Sequence, residues 1–361
     1  MVSEKQSVNV RHIHSNNPVV ETAQEIPSHK DSAFVSIIVA CKAIDSYTKE
    51  CIQGCLQLDY SQFELLVLPD YDESLSDDRV RVLPTGPVKP SEKRNTGVDA
   101  AKGEVVAFID GDAYPDKDWL KNCQKYFDDP KVAAVGGPGL TPQSDNTRQR
   151  ASGEILSSFL GAGPLSFRHS TKLARKCDDL PTVNLIVRRS TFQEMGGFDS
   201  SYWPGEDTKL CRDLVYGLGR EALYAPDVVV YHHRRLLYRP HLKQIAGYGL
   251  HRGYFSKKFP ENSRRPLFFA PTLLVLGVPA LLLLGYLDES VRFLSLFPLF
   301  AYFLLVGVGA LIIGVRRRAP SLVGPVFLGA IATHLWYGVY FLKGLLSRKI
   351  DTHSDSYKSN I

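Results

Sequence analysis

The last quarter of the chain limits what it can become. From Leu267 onward three apolar runs follow one another, 267–286, 293–315 and 322–342. Each is close to the ~20 residues needed to cross a hydrocarbon core. A purely soluble protein is therefore excluded. A polytopic transporter is excluded too, because most of the 361 residues lie outside these runs. Aliphatic and aromatic residues are too abundant for a disordered chain, at 44% hydrophobic overall.

The net charge is +5. Its positive residues sit beside the apolar runs: Lys257, Lys258, Arg264 and Arg265 before the first, and Arg316, Arg317 and Arg318 after the second. That placement suits anionic headgroups and cytoplasmic flanks, not nucleic acid. Six cysteines form no CxxC pair, which fits a reducing compartment without a disulfide frame. The first 32 residues are polar and aperiodic and read as a flexible tail, with His12, His14 and His29 too irregular for a metal tract. No secretory signal is expected there.

From Phe34 the pattern alternates between strand and helix. Val35–Ala40 (VSIIVA), Phe63–Leu68 (FELLVL), Val80–Leu83, Glu104–Ile109 (EVVAFI) and a run from Lys131 to Gly136 read as strands buried on both faces. Ser46–Gln57 and Ser91–Ala101 read as the helices between them. This rhythm predicts an α/β domain with an open, mostly parallel sheet covered by helices on both faces. Ligands in such sheets bind beyond the carboxyl ends of the strands. Asp70 and Asp110 both fall at such ends. Beyond Gly137 the chain is Pro-, Gly- and Ser-rich through 138–170. Val183–Arg188 and Val228–Tyr231 then read as strands and Glu206–Tyr216 as a helix. The domain plan is a tail (1–32), a catalytic domain (33–237), a basic, aromatic segment at the membrane interface (238–265), a transmembrane region (266–346) and a C-terminal tail (347–361).

Four clusters carry chemistry. Asp110-Gly111-Asp112 leaves an apolar strand that aims both carboxylates at the crevice. Hard divalent cations take such ligands together with substrate phosphates, and the cofactor expected is Mg²⁺ or Mn²⁺. A solvated Asp-Gly turn is the bland alternative. Glu206-Asp207 opens a helix, where acids ordinarily complement the helix dipole. Beside a phosphate-metal crevice, Asp207 is the candidate general base. In Tyr231-His232-His233-Arg234-Arg235, His232 is a candidate metal ligand, and the arginines suit phosphate oxygens or a basic face toward lipid. Arg94 and Asn95, at the start of a helix beside the crevice, suit a diphosphate. Lys93 has a solvated helix face as its plain alternative.

The ordered set SIIVACK…ELLVLPD…KRNTGVDAAKGEVVAFIDGDAYPD…NLIVRRSTFQEMGGFD…GEDTKLCRDL resembles glycosyltransferase family 2, over roughly 34–235. The resemblance implies a GT-A fold. It implies that Asp70 contacts the nucleotide base, that Asp110 and Asp112 bind the nucleotide-sugar and its metal, that His232 ligates the metal, and that Asp207, with Glu206 beside it, activates the acceptor. The family's Pro-x-x-Asn-Glu stretch after the first strand is replaced by Ala40–Asp45, with Asp45 as the substitute acid. No QxxRW motif follows the Glu-Asp pair, which favours addition of a single sugar. Its nearest echo runs from Gln244 to Tyr254, and Arg252 within it joins Arg234 and Arg235 as a candidate contact for the diphosphate or the acceptor.

The function implied is an inverting transfer of one sugar. The donor is a nucleoside-diphosphate sugar, UDP- or GDP-linked. The acceptor is a hydroxyl of a lipid-linked, polyprenyl-diphosphate saccharide in glycan biosynthesis. The setting expected is a prokaryotic cell membrane with the catalytic domain in the cytoplasm. Two alternatives stand beside it: transfer directly onto polyprenyl phosphate, and a non-catalytic nucleotide-sugar sensor or scaffold.

Overall fold

The computed structural model of this chain describes residues 33–350 apart from 74, 76 and 78. The expected N-terminal tail, with its three histidines, and residues 351–361 of the C-terminal tail lie outside the described residues.

The elements run in order β1 (Val35–Ala40), α1 (Ser46–Leu56), β2 (Phe63–Leu68), β3 (Val80–Val82), α2 (Pro90–Ala100), β4 (Val105–Asp110), β5 (Ala113–Pro115), α3 (Trp119–Gln124), β6 (Val132–Gly136), β7 (Gly139–Leu140), α4 (Thr147–Ser157) and α5 (Phe159–Ala162). There follow β8 (Arg175–Cys177), β9 (Leu185–Arg188), α6 (Arg189–Glu194), α7 (Glu206–Arg212), β10 (Glu221–Tyr224) and β11 (Val230–His232). Helices α8 (Arg239–Lys258), α9 (Pro260–Ser263), α10 (Pro266–Leu287), α11 (Arg292–Arg316) and α12 (Val323–Leu346) complete the described chain.

Eight strands form one sheet in the order β3-β2-β1-β4-β9-β6-β10-β8. Strands β3, β2, β1 and β4 are mutually parallel, as are β6 and β10, while β9 and β8 run against their neighbours. The mostly parallel sheet expected from the sequence is therefore present. Alternation along its strands divides two cores. Ile37, Val39, Val105, Ala107 and Ile109 face α1 and α3 through Cys51, Ile52, Cys55, Trp119 and Leu120. Ile38, Val106 and Phe108 face α2, α6 and α7 through Val98, Phe192, Leu210 and Cys211. A strand buried on both faces has no polar side to alternate with, which is why these runs read as continuously apolar.

The register fixes the crevice. Ala40 pairs with Leu68 on one side and Asp110 on the other, so the ends of β1, β2 and β4 are level. A second sheet, β5-β11-β7, closes over these ends. In it His232 pairs with Ala113, the residue after Asp112. The last strand thus begins two residues later than expected and includes His232.

Three regions differ from the sequence reading. Residues 138–170 hold helix α4, whose start is capped reciprocally by Asn146 and Gln149. The helix from Glu206 gives way at Asp213 to a wider turn ending at Gly217. Most of the basic segment 238–265 is the long helix α8. Its sequence, rich in Gly, His and Arg, carries no clean apolar stripe, and tertiary packing supplies the stability that pattern alone does not.

Helices α10, α11 and α12 are each long and apolar enough to cross a membrane.

Candidate active site

Helix α2 delivers two cations to the strand ends. Lys93 is buried, and its Nζ donates to Asp70 at 2.5 Å, to the Cys41 carbonyl at 2.8 Å and to the Leu68 carbonyl at 3.3 Å. It is a buried tie between α2 and the ends of β1 and β2, not a solvated face. Arg94 is also buried and forks between two acids. Its Nη2 donates to Asp110 at 2.7 Å and its Nη1 to Glu206 at 3.0 Å. Asn95 exchanges two hydrogen bonds with the backbone of Phe198, fixing the loop before α7 against α2.

Asp110, Asp112 and His232 converge, with one ligand atom from each within 4.8 Å of the others. His232 Nε2 lies 3.3 Å from Asp112 Oδ1, and Arg235 Nη2 lies 3.5 Å from Asp112 Oδ2. Burial alone would raise the Asp112 pKa. The charge and hydrogen bond of His232, with the charge of Arg235, outweigh it and hold the carboxyl well below the usual range. Two carboxylate oxygens and one imidazole suit Mn²⁺ and, through the carboxylates, Mg²⁺. One detail conditions the fit. Arg234 Nη1 lies 3.0 Å from His232 Nδ1 and can only donate, so a neutral His232 carries its proton on Nε2, toward Asp112. Ligation through Nε2 requires that proton to leave and Arg234 to turn aside.

Arg234 is buried as well. It donates to Thr141 Oγ1 at 3.1 Å and to the Gly139 carbonyl. Burial lowers its pKa to about 10, so it stays charged near neutrality. Arg235 is the exposed member of the pair.

The Glu-Asp pair opens α7. Burial, partly offset by the Arg94 charge, pushes Glu206 up to about 7. Asp207 is raised by burial as well; Arg168 and Arg252 oppose the shift and Asp179 adds to it. Behind this pair, the buried Asp179 accepts from Arg252 Nη2 at 2.7 Å and Thr208 Oγ1 at 3.0 Å, and pairs with Arg168. Arg252 also donates to Ser263 and lies over the Phe268 ring. It is thus engaged in the layer behind Asp207. Asp45 stands at the start of α1, where its Oδ1 accepts from the Thr48 amide at 2.9 Å, a helix cap.

Several participants escaped the sequence reading. His233 sits between Asp145, at 2.5 Å from Nδ1, and Glu50, at 3.0 Å from Nε2, while its amide donates to the Asp112 carbonyl at 3.0 Å. Asp145 also accepts from the Arg234 amide at 3.2 Å. These contacts pin the segment that carries His232. Tyr248, an exposed residue of α8, stands within electrostatic reach of Asp207, Arg168, Arg234 and Asp110. No spacing in the sequence joins positions 50, 145, 179 and 233, and only the fold does.

Residues 36–196 match the family model "Glycosyl transferase family 2". The chain is 30% identical over 177 residues, 48% of its length, to the pre-mycofactocin glycosyltransferase of Mycobacterium tuberculosis, of which the match covers 36%. The chain therefore spans about a third of that relative. It is 22% identical over 339 residues, 87% of its length and 97% of the relative's, to the dolichyl N-acetyl-alpha-D-glucosaminyl phosphate 3-beta-D-2,3-diacetamido-2,3-dideoxy-beta-D-glucuronosyltransferase of Methanococcus voltae. Among solved structures, the mannosyltransferase PcManGT from Pyrobaculum calidifontis, in complex with GDP-Man and Mn²⁺, superposes with a TM-score of 0.53 at 17% identity, covering 89% of each chain. Residues 36–196 thus match the glycosyltransferase family 2 domain, and the chain shares the GT-A fold of that solved neighbour.

Two expectations follow. Arg94→Met leaves Asp110 and Glu206 without their shared cation and lowers stability by about 3 kcal/mol, the scale for breaking a buried pair; thermal unfolding of the detergent-solubilised chain reads it, and an unchanged midpoint would contradict the pairing. Because Glu206 has a raised pKa, the folded state holds a proton that the unfolded state has lost between about pH 4.5 and 7, so this group's contribution to stability falls as pH rises through that window. Glu206→Gln removes the dependence. Its melting midpoint should gain on the wild type between pH about 5 and about 8.

Proposed function

We propose that the protein transfers a single sugar, with inversion, from a nucleoside-diphosphate sugar to a hydroxyl of a lipid-linked saccharide. The observation that carries this reading is the Arg94 fork, which ties Glu206, the neighbour of Asp207 at the start of α7, to Asp110 at the end of β4. Asp70 and Asp110 stand at level strand ends, where the nucleotide and ribose would lie. A divalent cation held by Asp110, Asp112 and His232 would neutralise charge on the leaving diphosphate. Arg235, exposed and already beside Asp112, is placed to bind a phosphate oxygen, and Arg234 backs the same wall.

Asp207 would accept the proton of the acceptor hydroxyl as its oxygen attacks the anomeric carbon from the face opposite the diphosphate. Burial raises the pKa of the Asp207 carboxyl, which suits a proton acceptor, and Arg168 and Arg252 oppose that shift in favour of the ionised form. Glu206 does not share that role in this reading: its carboxyl faces Arg94, and it shapes the position of α7. Asp45 serves α1 as a cap, and Arg252 serves the base through Asp179, so neither is assigned a direct contact with the donor. The lipid-linked acceptor is supported by the three apolar helices and by the relative from Methanococcus voltae, whose name specifies a dolichyl phosphate-linked substrate.

The test is turnover of the full-length chain in detergent with UDP- and GDP-sugars, Mn²⁺ or Mg²⁺, and a polyprenyl-linked saccharide extract. Asp207→Asn should lose about 10²-fold or more of acceptor-dependent nucleoside-diphosphate release while retaining donor binding. Undiminished release by that variant would remove Asp207 from the chemistry and favour transfer onto polyprenyl phosphate, which needs no base to deprotonate a hydroxyl.

A further inference from the structure

Helix α12 has the length and composition of a membrane span, but its most extensive contact is with α8, beside shorter ones with α10 and α11. It lies alongside α8 in the same direction over most of its length. His241 of α8 hydrogen-bonds Thr333 at 2.9 Å, and Lys257, at the other end, donates to the Ser347 carbonyl at 2.7 Å. Between these points the backbones touch. A Cβ at Gly253 would stand 2.0 Å from the Phe341 carbonyl, and one at Gly344 the same distance from the Leu250 carbonyl. The contact therefore extends over roughly 24 Å of α8, at about 1.5 Å per residue.

Helix α8 in turn is bound to the catalytic body along its opposite side. His241 Nδ1 lies 2.7 Å from Ser152 Oγ on α4, Arg252 binds Asp179, and Phe255 packs edge-on to Tyr202. Just beyond α8, Asn262 donates to the Thr208 and Asp178 carbonyls at 2.9 and 3.1 Å. If α12 crossed the bilayer, α8 would be drawn in beside it. Exposed Arg239, Lys243, Lys257 and Lys258 would then enter hydrocarbon, each costing about 2.5–3.5 kcal/mol at the centre on insertion scales. The start of α12 is held to the same body, where Arg317 pairs with Glu154 of α4 at 2.7 Å.

We infer that the chain crosses the membrane twice, through α10 and α11, and that α12 lies in the interface on the catalytic side. Its outer face would then rest on the lipid. That face presents Leu328, Leu335, Trp336, Val339 and Leu346, all exposed, and Trp is a residue of the headgroup boundary. Buried positions make up 39% of the apolar stretch of α12, against 11% for α10 and α11. The two-span arrangement gathers Arg264, Arg265, Arg316, Arg317, Arg318, Lys343, Arg348 and Lys349 on one side. The opposite side receives only the short link with Asp288, Glu289 and Arg292. Three spans would split these cations between the two sides; two satisfy the positive-inside rule with the catalytic body in the cytoplasm.

Cysteine labelling of the full-length chain in sealed, inverted membrane vesicles tests this with a membrane-impermeant maleimide. Lys117→Cys reports the catalytic body, Ser290→Cys the α10–α11 link, and Arg348→Cys and Lys349→Cys the end of α12; all four positions are exposed. The unsubstituted chain sets the background from its six native cysteines. Expected are equal labelling of Lys117→Cys, Arg348→Cys and Lys349→Cys before and after permeabilisation, and labelling of Ser290→Cys only afterwards. Protection of Arg348→Cys and Lys349→Cys in the same manner as Ser290→Cys would establish a third span and overturn the inference. The readout is independent of turnover, so it stands or falls apart from the sugar-transfer reading.

Discussion

The guanidinium of Arg94 is the interaction on which the site depends. It is buried, and it holds an acid from the end of β4 and an acid from the start of α7 at once. Two carboxylates brought this close would repel each other without it. Glu206, already pushed up to about 7 by burial, would hold its proton more tightly still, or its helix would move off the strand ends. With the fork in place, the acid next in sequence, Asp207, is fixed relative to Asp110. The strand end and the start of α7, the donor and base sides in the proposed reading, are then joined through a single residue of α2. Lys93, one position earlier, performs a related task for the strand ends themselves, tying Asp70 to the carbonyls of Cys41 and Leu68.

Much of this was legible in the sequence, and for identifiable reasons. The apolar run of β4 ends at Asp110, and a strand buried on both faces leaves its terminal acid no place but the crevice. The same logic placed Asp70. The helix beginning at Glu206 declared itself by its first-turn acids. His232 was identifiable as the end of a strand, although its pairing with Ala113 across a second small sheet, which brings it to Asp112, was not. Asp145, Asp179 and Glu50 were hidden because their roles arise from contacts across more than seventy residues in some cases and no local pattern marks them. Helix α8 was hidden for another reason. A helix enclosed between the catalytic body and α12 needs no single apolar stripe, and its glycines serve close approach where propensity would count against them.

The catalytic domain and the helices that follow it are not separable in the way their hydropathy suggests. Buried residues of α4, α11 and α12, among them Ala151, Ile155, Val306, Ala310, Val326 and Ala330, form a core of their own. A soluble helix and apolar helices share it. The boundary between an enzyme and its anchor, drawn from composition near residue 266, therefore runs through a packed interior and not along a linker.

Arg252 shows what this sharing entails. It belongs to α8, yet its guanidinium grips Asp179, and Asp179 holds the hydroxyl of Thr208, the neighbour of Asp207. If Asp207 is the base, as proposed, its stiffness is borrowed from the helix layer beneath it. A catalytic body excised ahead of α10 would keep every group named in the chemistry and still lose the brace that α12 gives α8. Its base would be held by a softer spring.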